Sequence, residues 1–276
     1  MLKETIAMLK YELSTALKSK RVMILFLFFV LLTMYDLYAN YRYNFGEYLR
    51  GVGSKPSGRN LFHPCFASFL SASNIGHLPH VMMTWVFPLY PLFAYSDSFS
   101  LQKQYGYYNI LLTKVDRKKA VVSRFATAFL IPFAIALVTL FLNFAATYIV
   151  FNGGTSFAGE ETNLAKPDIP LLLFFFLTHP YLTYIAHIFA FSLIAGTYGM
   201  FCAGVNFILP KYTILYAVAF FVWFLLMHIP YSILSLMQSF AYEGVGELIV
   251  SPIYYTLMVV ATVVAAYIYK VRYDEL

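Results

Sequence analysis

Residues 96–124 hold the side chains best suited to binding a partner protein. They mix acids, bases, amides and aromatic rings, and include Asp97, Ser98, Phe99, Gln102, Lys103, Tyr105, Gly106 and Arg117. Aromatic rings supply contact area at protein interfaces, where charged groups fix orientation. Asp97 and Ser98 are good capping residues, so we expect a helix along the membrane surface from Ser98 to Leu112. A loop that only fixes topology needs neither this length nor this mixture.

Patterns for catalysis are missing from the chain. Glu160-Glu161 invites comparison with intramembrane proteases of the CAAX-processing type, which need an EExxxR helix. Here position 165 is Ala165 and Lys166 follows it, in a loop rich in Gly and Asn. No GxSxG nucleophile elbow and no GxxxxGK[ST] phosphate-binding loop occurs. We therefore predict no catalytic residue in this chain and no ATP site of the P-loop type.

Histidine and cysteine do not form a metal-binding pattern. Five histidines lie near the expected outer face, namely His63, His77, His80, His179 and His228. They form no HExxH motif and no close pair at i, i+4, the spacings typical of a zinc site. We expect structural or capping roles for them. Cys65 and Cys202 are too far apart for a CxxC motif, and we expect neither a disulfide nor a metal site.

Composition assigns the chain to the membrane. Of its 276 residues, 61% are hydrophobic and 12% are charged, whereas soluble domains average roughly 45–50% and 25%. The formal net charge of +6 could suggest a nucleic acid partner. The charges lie between apolar runs and not along one stripe, so they indicate topology and we expect no nucleic acid.

The apolar runs predict an all-α integral membrane protein with six transmembrane helices. We expect spans at about 22–39, 80–95, 125–151, 171–205, 212–228 and 252–269, with a short inner turn at Asn206–Lys211. Between them we predict an interfacial helix at 1–21, an outer loop at 40–79, an inner connector at 96–124 and an outer re-entrant segment at 230–251. Asp36, beside Tyr35 and Tyr38, is expected at the membrane interface.

The charge-free run from Ile169 to Pro210 leaves the count of crossings open. It is long enough for two spans, but we prefer one tilted helix with a kink at Thr178-His179-Pro180. Its small residues Gly196, Gly199 and Gly204 predict close helix packing near the inner end.

Basic residues orient this topology. The segments predicted to be inside contain 14 of the 19 basic residues, namely Lys3, Lys10, Lys18, Lys20, Arg21, Lys103, Lys114, Arg117, Lys118, Lys119, Arg124, Lys211, Lys270 and Arg272. The outer segments contain Arg42, Arg50, Lys55, Arg59 and Lys166. The positive-inside rule therefore predicts a multi-pass protein of the cell membrane with both termini in the cytoplasm.

The inner connector resembles the corresponding region of ABC-2 type transporter permeases. In that family an acidic residue follows span two, and a Gly, a Leu-Leu-Ser/Thr group and a basic turn precede span three. The matching positions here are Asp97, Gly106, Leu111-Leu112-Thr113 and Arg117. The six spans, the first amphipathic helix and the broken stretch before span six agree with the family. The outer loop after span one departs from it, because this loop is about 40 residues long here and is often short in the family.

The resemblance implies a single permease domain over residues 1–276, driven by a separate ATPase subunit that binds ATP and Mg. A second permease subunit, identical or paralogous, would complete the transporter in the bilayer. The coupling helix would use Asp97, Ser98, Phe99, Gln102, Lys103, Tyr105, Gly106 and Arg117. Export of an amphipathic peptide, antibiotic or lipid-linked cargo is expected. The alternatives are an intramembrane enzyme and a non-transporting membrane anchor or immunity protein.

Overall fold

A computed structural model describes residues 2–71, 78–166, 169–240 and 245–273, and these residues are almost entirely helical. The thirteen α-helices of the described residues are α1 Leu2–Leu17, α2 Lys20–Asn44, α3 Gly46–Leu49, α4 Pro64–Ala67, α5 Leu78–Trp85, α6 Leu89–Pro91, α7 Ser98–Gln104, α8 Tyr107–Leu112, α9 Arg117–Val150, α10 Leu171–Thr178, α11 Pro180–Ile208, α12 Tyr212–His228 and α13 Val245–Ile268. Short 3-10 turns occur at Gly58–Asn60, Glu160–Ala165 and Ile233–Leu236, and π-helical turns at Leu92–Ser96 and Tyr269–Tyr273.

Four helices are long and apolar enough to cross a bilayer, at Lys20–Asn44, Arg117–Val150, Pro180–Ile208 and Gly246–Tyr273. The prediction of an all-α membrane protein is therefore confirmed. A fifth apolar helix, α12, has 17 residues. The expected span at 80–95 is split into α5, α6 and a π-helical turn, because Pro88 and Pro91 interrupt the backbone ladder. Six crossings remain a prediction.

The centre of the bundle is the contact between α9 and α11. A Cβ placed on Gly199 would lie 2.2 Å from the Ala128 carbonyl oxygen, and one on Gly196 would lie 2.7 Å from the ring of Phe129. Hydrogen is the only side chain that fits there, so these glycines set the distance between the two helices. Gly204 faces α13, where its Cβ would lie 3.1 Å from Thr262 Cγ2.

The expected outer loop at 40–79 differs from an exposed loop in two parts. Its first residues continue α2 as far as Asn44, and the segment 64–70 is buried in the bundle instead of lying at its surface. Asn143 of α9 supports this irregular backbone, because its Oδ1 accepts from the Phe69 amide at 3.1 Å and its Nδ2 donates to the Thr33 carbonyl at 2.9 Å. Non-helical backbone is tolerated at membrane depth only where protein groups satisfy it. His77 lies outside the described residues.

Asp36, expected at the membrane interface, is fully buried within the protein. Its Oδ2 accepts from Asn40 Nδ2 at 3.2 Å, and the same amide group donates to the Ala67 carbonyl at 3.1 Å. The helical spacing of Asp36 and Asn40 turns both inward, toward the buried segment 64–70.

The break near His179 lies where a kink is expected, but it separates two helices, α10 and α11. His179 has φ −130° and ψ 58°, outside the helical region, because the ring of Pro180 restricts the residue before it. The predicted re-entrant segment 230–251 differs more. It contains the 3-10 turn Ile233–Leu236 and then the first turns of α13, which begins at Val245 and continues through Pro252. Residues 241–244 lie outside the described part of the chain.

Candidate functional site: the inner connector

The connector contains two short helices instead of the one expected from Ser98 to Leu112. Helix α7 ends at Gln104 and α8 begins at Tyr107, with Gly106 between them at φ 71°. That left-handed backbone is costly for every residue with a Cβ, so glycine makes the sharp turn possible. The turn divides the connector into a base and a projecting tip. The base contains the buried residues Ser96, Asp97, Phe99, Ser100 and Tyr108 and the half-buried Gln102, and the tip contains Lys103, Gln104 and Tyr105.

Asp97 joins the base to α2 and α12. Arg21 Nη1 donates to both carboxylate oxygens of Asp97 at 3.3 Å. The hydroxyl groups of Tyr212 and Tyr216 donate to Asp97 Oδ2 at 2.5 Å and 3.2 Å. The start of α2, the connector and the start of α12 therefore meet at one end of the bundle, around one carboxylate.

Burial dominates the titration of this carboxyl group. Removal from water raises the pKa of Asp97 above its ordinary value, although the Tyr212 hydrogen bond and the Arg21 charge oppose the rise. The Arg21 side chain is 42% exposed, so its attraction to Asp97 is weakened by solvent. The tyrosine hydroxyls are thus as important as the cation in holding the carboxylate.

A second buried ionic cluster joins the base to α1 and α9. Arg124 Nε lies 3.6 Å from Glu12 Oε1, and both side chains are almost completely buried. Tyr95 donates its hydroxyl hydrogen to Glu12, and Arg124 donates from Nη2 to Gln102. Glu12 is buried because α1 packs against α9.

Two cations lie over the aromatic rings of the base. The guanidinium carbon of Arg124 lies 5.4 Å from the ring centre of Phe99 and 4.8 Å from that of Tyr108. Lys270 Nζ, at the end of α13, lies 4.5 Å and 5.7 Å from the same two ring centres. Desolvated cation–π contacts contribute about 2 kcal/mol. Phe99, predicted to offer its surface to a partner, instead holds the connector to α9 and α13.

Helix α11 completes the attachment of the base. Asn206 Nδ2 donates to the Ser96 carbonyl at 2.9 Å, while Ser100 donates to Asn206 Oδ1. Ser96 Oγ also donates to the Gly199 carbonyl at 2.9 Å. Gly199 therefore lies beside both α9 and the connector.

The tip has the opposite character. Tyr105 is 79% exposed, and Lys103 and Gln104 are exposed beside it. Ser98 and Arg117 are half-buried, at the two ends of the connector. At the edge of α8, the hydroxyl of Tyr107 lies 2.7 Å from that of Tyr11 in α1, and this hydrogen bond raises the pKa of Tyr107 to about 12.

Several members of these clusters were not predicted as site residues from the sequence. They are Glu12, Arg21, Tyr95, Arg124, Asn206, Tyr212, Tyr216 and Lys270. One signal was available, since Arg21 and Asp97 are opposite charges at predicted inner boundaries. The metal-ligating side chains of the described residues form no group of three or more, and both cysteines are buried free thiols.

Comparisons with known proteins leave the family unassigned. No family model matches the chain, and no solved structure matches it. The chain is 28% identical over 217 residues to the uncharacterized protein YybM of Bacillus subtilis (strain 168). The match covers 78% of this chain and 84% of that protein.

Proposed function

We propose that this chain is the permease subunit of an ATP-driven transporter, powered by a separate ATPase that docks on the connector tip. The observation that carries the proposal is the contrast within the connector. Its base contacts α1, α2, α9, α11, α12 and the end of α13, whereas Tyr105 at its tip is 79% exposed. A force applied at the tip would therefore reach most of the long helices together.

The buried base makes the connector suitable as a lever. Packed cores deform little and transmit strain, so movement of the tip would tilt the attached helices as bodies. Asp97 would transmit that movement to α2 and α12 through Arg21 and Tyr212. Arg124 would transmit it to α1 and α9 through Glu12 and Gln102.

The proposed complex contains two permeases and two ATPase subunits in the cell membrane, with the connector and both termini in the cytoplasm. A route at the interface between permeases, lined by spans one, two and five, is an expectation from the ABC-2 resemblance. Exposed apolar side chains on α2 and α12, among them Leu31 and Phe221, suit contact with lipid or a second permease. We propose export of an amphipathic peptide, antibiotic or lipid-linked molecule.

The decisive experiment is to purify the full chain from its native membranes together with associated proteins, and to measure ATP hydrolysis. We expect a P-loop ATPase to copurify and its ATPase activity to respond to the permease. Tyr105→Asp should abolish that response, because it places a charge at the centre of the docking surface. Tyr48→Asp is the matched control, since Tyr48 is an exposed tyrosine in α3, at the expected outer face.

Two glycine variants test the role of the turn at Gly106 without changing the side chains of the tip. Gly106 and Gly51 have φ of 71° and 73°, and neither has an atom within 4 Å of an added Cβ. Gly106→Ala and Gly51→Ala therefore introduce the same backbone strain at the two ends of the molecule. Only Gly106→Ala should impair coupling. An unchanged ATPase response in both Tyr105→Asp and Gly106→Ala would reject the proposal and favour an enzyme, an anchor or an immunity protein.

A further inference from the structure

A groove of about 540 Å³ lies between α7 and the turn that joins α11 to α12. One part of its wall is polar and includes Lys103, Gln104, Lys211 and Tyr212, and the other part is apolar and includes Leu209 and Ile214. Because the groove lies at the ends of two apolar helices, it opens where a membrane's hydrocarbon core meets its polar headgroups.

The polar part of the groove carries two positive charges. Lys103 and Lys211 are both exposed, and neither forms an ion pair within the described part of the chain. No carboxylate lines the groove. Two ammonium groups, one from α7 and one from the turn between α11 and α12, attract a group with negative charge, and lysine is a common ligand of phosphate.

The apolar part of the groove identifies the kind of anion. Leu209 and Ile214 are each 39% exposed, directly beside the lysines. A free phosphate ion would engage the lysines and leave these side chains in water. A phospholipid would place its phosphate on the lysines and the upper part of its acyl chains on Leu209 and Ile214.

We infer that this groove binds the headgroup of an anionic phospholipid from the leaflet on the basic side of the membrane. The bound lipid would contact Tyr212, whose hydroxyl donates to Asp97 at 2.5 Å. Occupancy should therefore also restrain the joint between the connector and α12. Lys103 and Gln104 belong both to the groove and to the proposed docking tip, but lipid binding requires only that the protein lies in a bilayer, and it is tested below without an ATPase, so failure of one proposal is distinguishable from failure of the other.

The test uses the purified full chain in detergent, titrated with dioleoyl phosphatidylglycerol or with dioleoyl phosphatidylcholine. Bound lipids are counted by native mass spectrometry, and thermal unfolding is followed in parallel. We expect tighter binding and a higher melting temperature with phosphatidylglycerol. Lys103→Gln/Lys211→Gln should weaken its binding roughly 30-fold, about fivefold for each lysine, and leave phosphatidylcholine binding unchanged.

Two control variants locate the effect in the groove. Lys18→Gln/Lys118→Gln removes the same charge from exposed lysines outside it and should bind phosphatidylglycerol like the wild type. Lys103→Arg/Lys211→Arg keeps the charge and should retain binding. If the double glutamine variant does not fold, each single variant is expected to lose about fivefold. Equal binding of the two lipids, an equal loss in the Lys18/Lys118 control, or the same stabilisation by inorganic phosphate alone would overturn the inference.

Discussion

Arg21 and Asp97 are separated by 76 positions in the chain, yet the guanidinium nitrogen Nη1 lies 3.3 Å from both carboxylate oxygens. This contact brings the first residues of α2 to the first residues of the connector. Tyr212 and Tyr216 add α12 to the same carboxylate. The joint connects three elements that are far apart in sequence, and its strength can be measured in several ways.

The pH dependence of stability reports which force dominates at Asp97. Because burial raises the folded-state pKa above the ordinary value of 3.8, the native state binds more protons than the unfolded state between those two pKa values. Stability therefore rises as pH falls through the folded-state pKa toward 3.8. We expect the melting temperature of the wild type to rise relative to that of Asp97→Asn as the pH is lowered, with both measured at each pH. A relative loss would mean that the Arg21 attraction outweighs burial.

The Tyr212 hydroxyl should be worth more than an ordinary surface hydrogen bond. It donates to a buried carboxylate at 2.5 Å, and hydrogen bonds to charged groups contribute about 1.5–3 kcal/mol. Tyr212→Phe should lower the free energy of unfolding by about that amount, as measured by denaturant titration of the purified protein. Tyr11→Phe is the control, because its hydroxyl meets only the neutral Tyr107 hydroxyl at an exposed position. Equal losses in the two variants would contradict this assignment.

The Glu12–Arg124 pair should show strong non-additivity. Glu12→Leu leaves a buried guanidinium without its carboxylate, which costs about 3–5 kcal/mol. The double variant Glu12→Leu/Arg124→Leu removes both charges and should be less destabilised than Glu12→Leu. A double-mutant cycle on thermal unfolding measures this coupling. Additive losses would indicate that the two side chains act separately.

Asn143 should be essential to the buried segment 64–70. Asn143→Leu removes the partners of the Phe69 amide and the Thr33 carbonyl, and each unsatisfied buried group costs about 1–3 kcal/mol. We expect a loss of about 2–6 kcal/mol and faster proteolysis near residue 70. Asn152→Leu, at an exposed position just beyond α9, should be nearly neutral. Comparable stability of the two variants would show that the segment is held by other contacts.

The glycines of α11 should differ in their tolerance of alanine. At Gly199 a Cβ would meet the Ala128 carbonyl oxygen at 2.2 Å, and the backbone of α9 must move to admit it. At Gly204 the nearest atom is a side-chain methyl group at 3.1 Å. Gly199→Ala should therefore destabilise by about 1–3 kcal/mol, and Gly204→Ala by much less. The melting temperatures of the two variants decide the point, and a larger effect at Gly204 would contradict it.

The sequence by itself determined the class of protein and the position of its main features. Long apolar runs require a bilayer, and Lys-rich segments mark their ends. The helices near 22–39, 125–151 and 212–228 can therefore be predicted from the sequence. Pro180 likewise marks a break through its own backbone preference, whereas the break at Gly106 within the expected helix Ser98–Leu112 was not predicted. These signals are local, since each depends on a residue and its close neighbours along the chain.

Only the tertiary structure decided which polar residues are buried and what they contact. Glu12 and Asp36 look like exposed residues from their neighbours in sequence. Packing of α1 on α9 buries Glu12, and Asp36 is buried beside Asn40, which bonds the Ala67 carbonyl of the segment 64–70. Arg21 pairs with Asp97, and Arg124 pairs with Glu12. In both pairs the fold brings together elements that are far apart in sequence. The hydropathy of a segment predicts that it leaves water, but it does not predict which helix face packs against which neighbour. Those contacts between helix faces form the base of the connector.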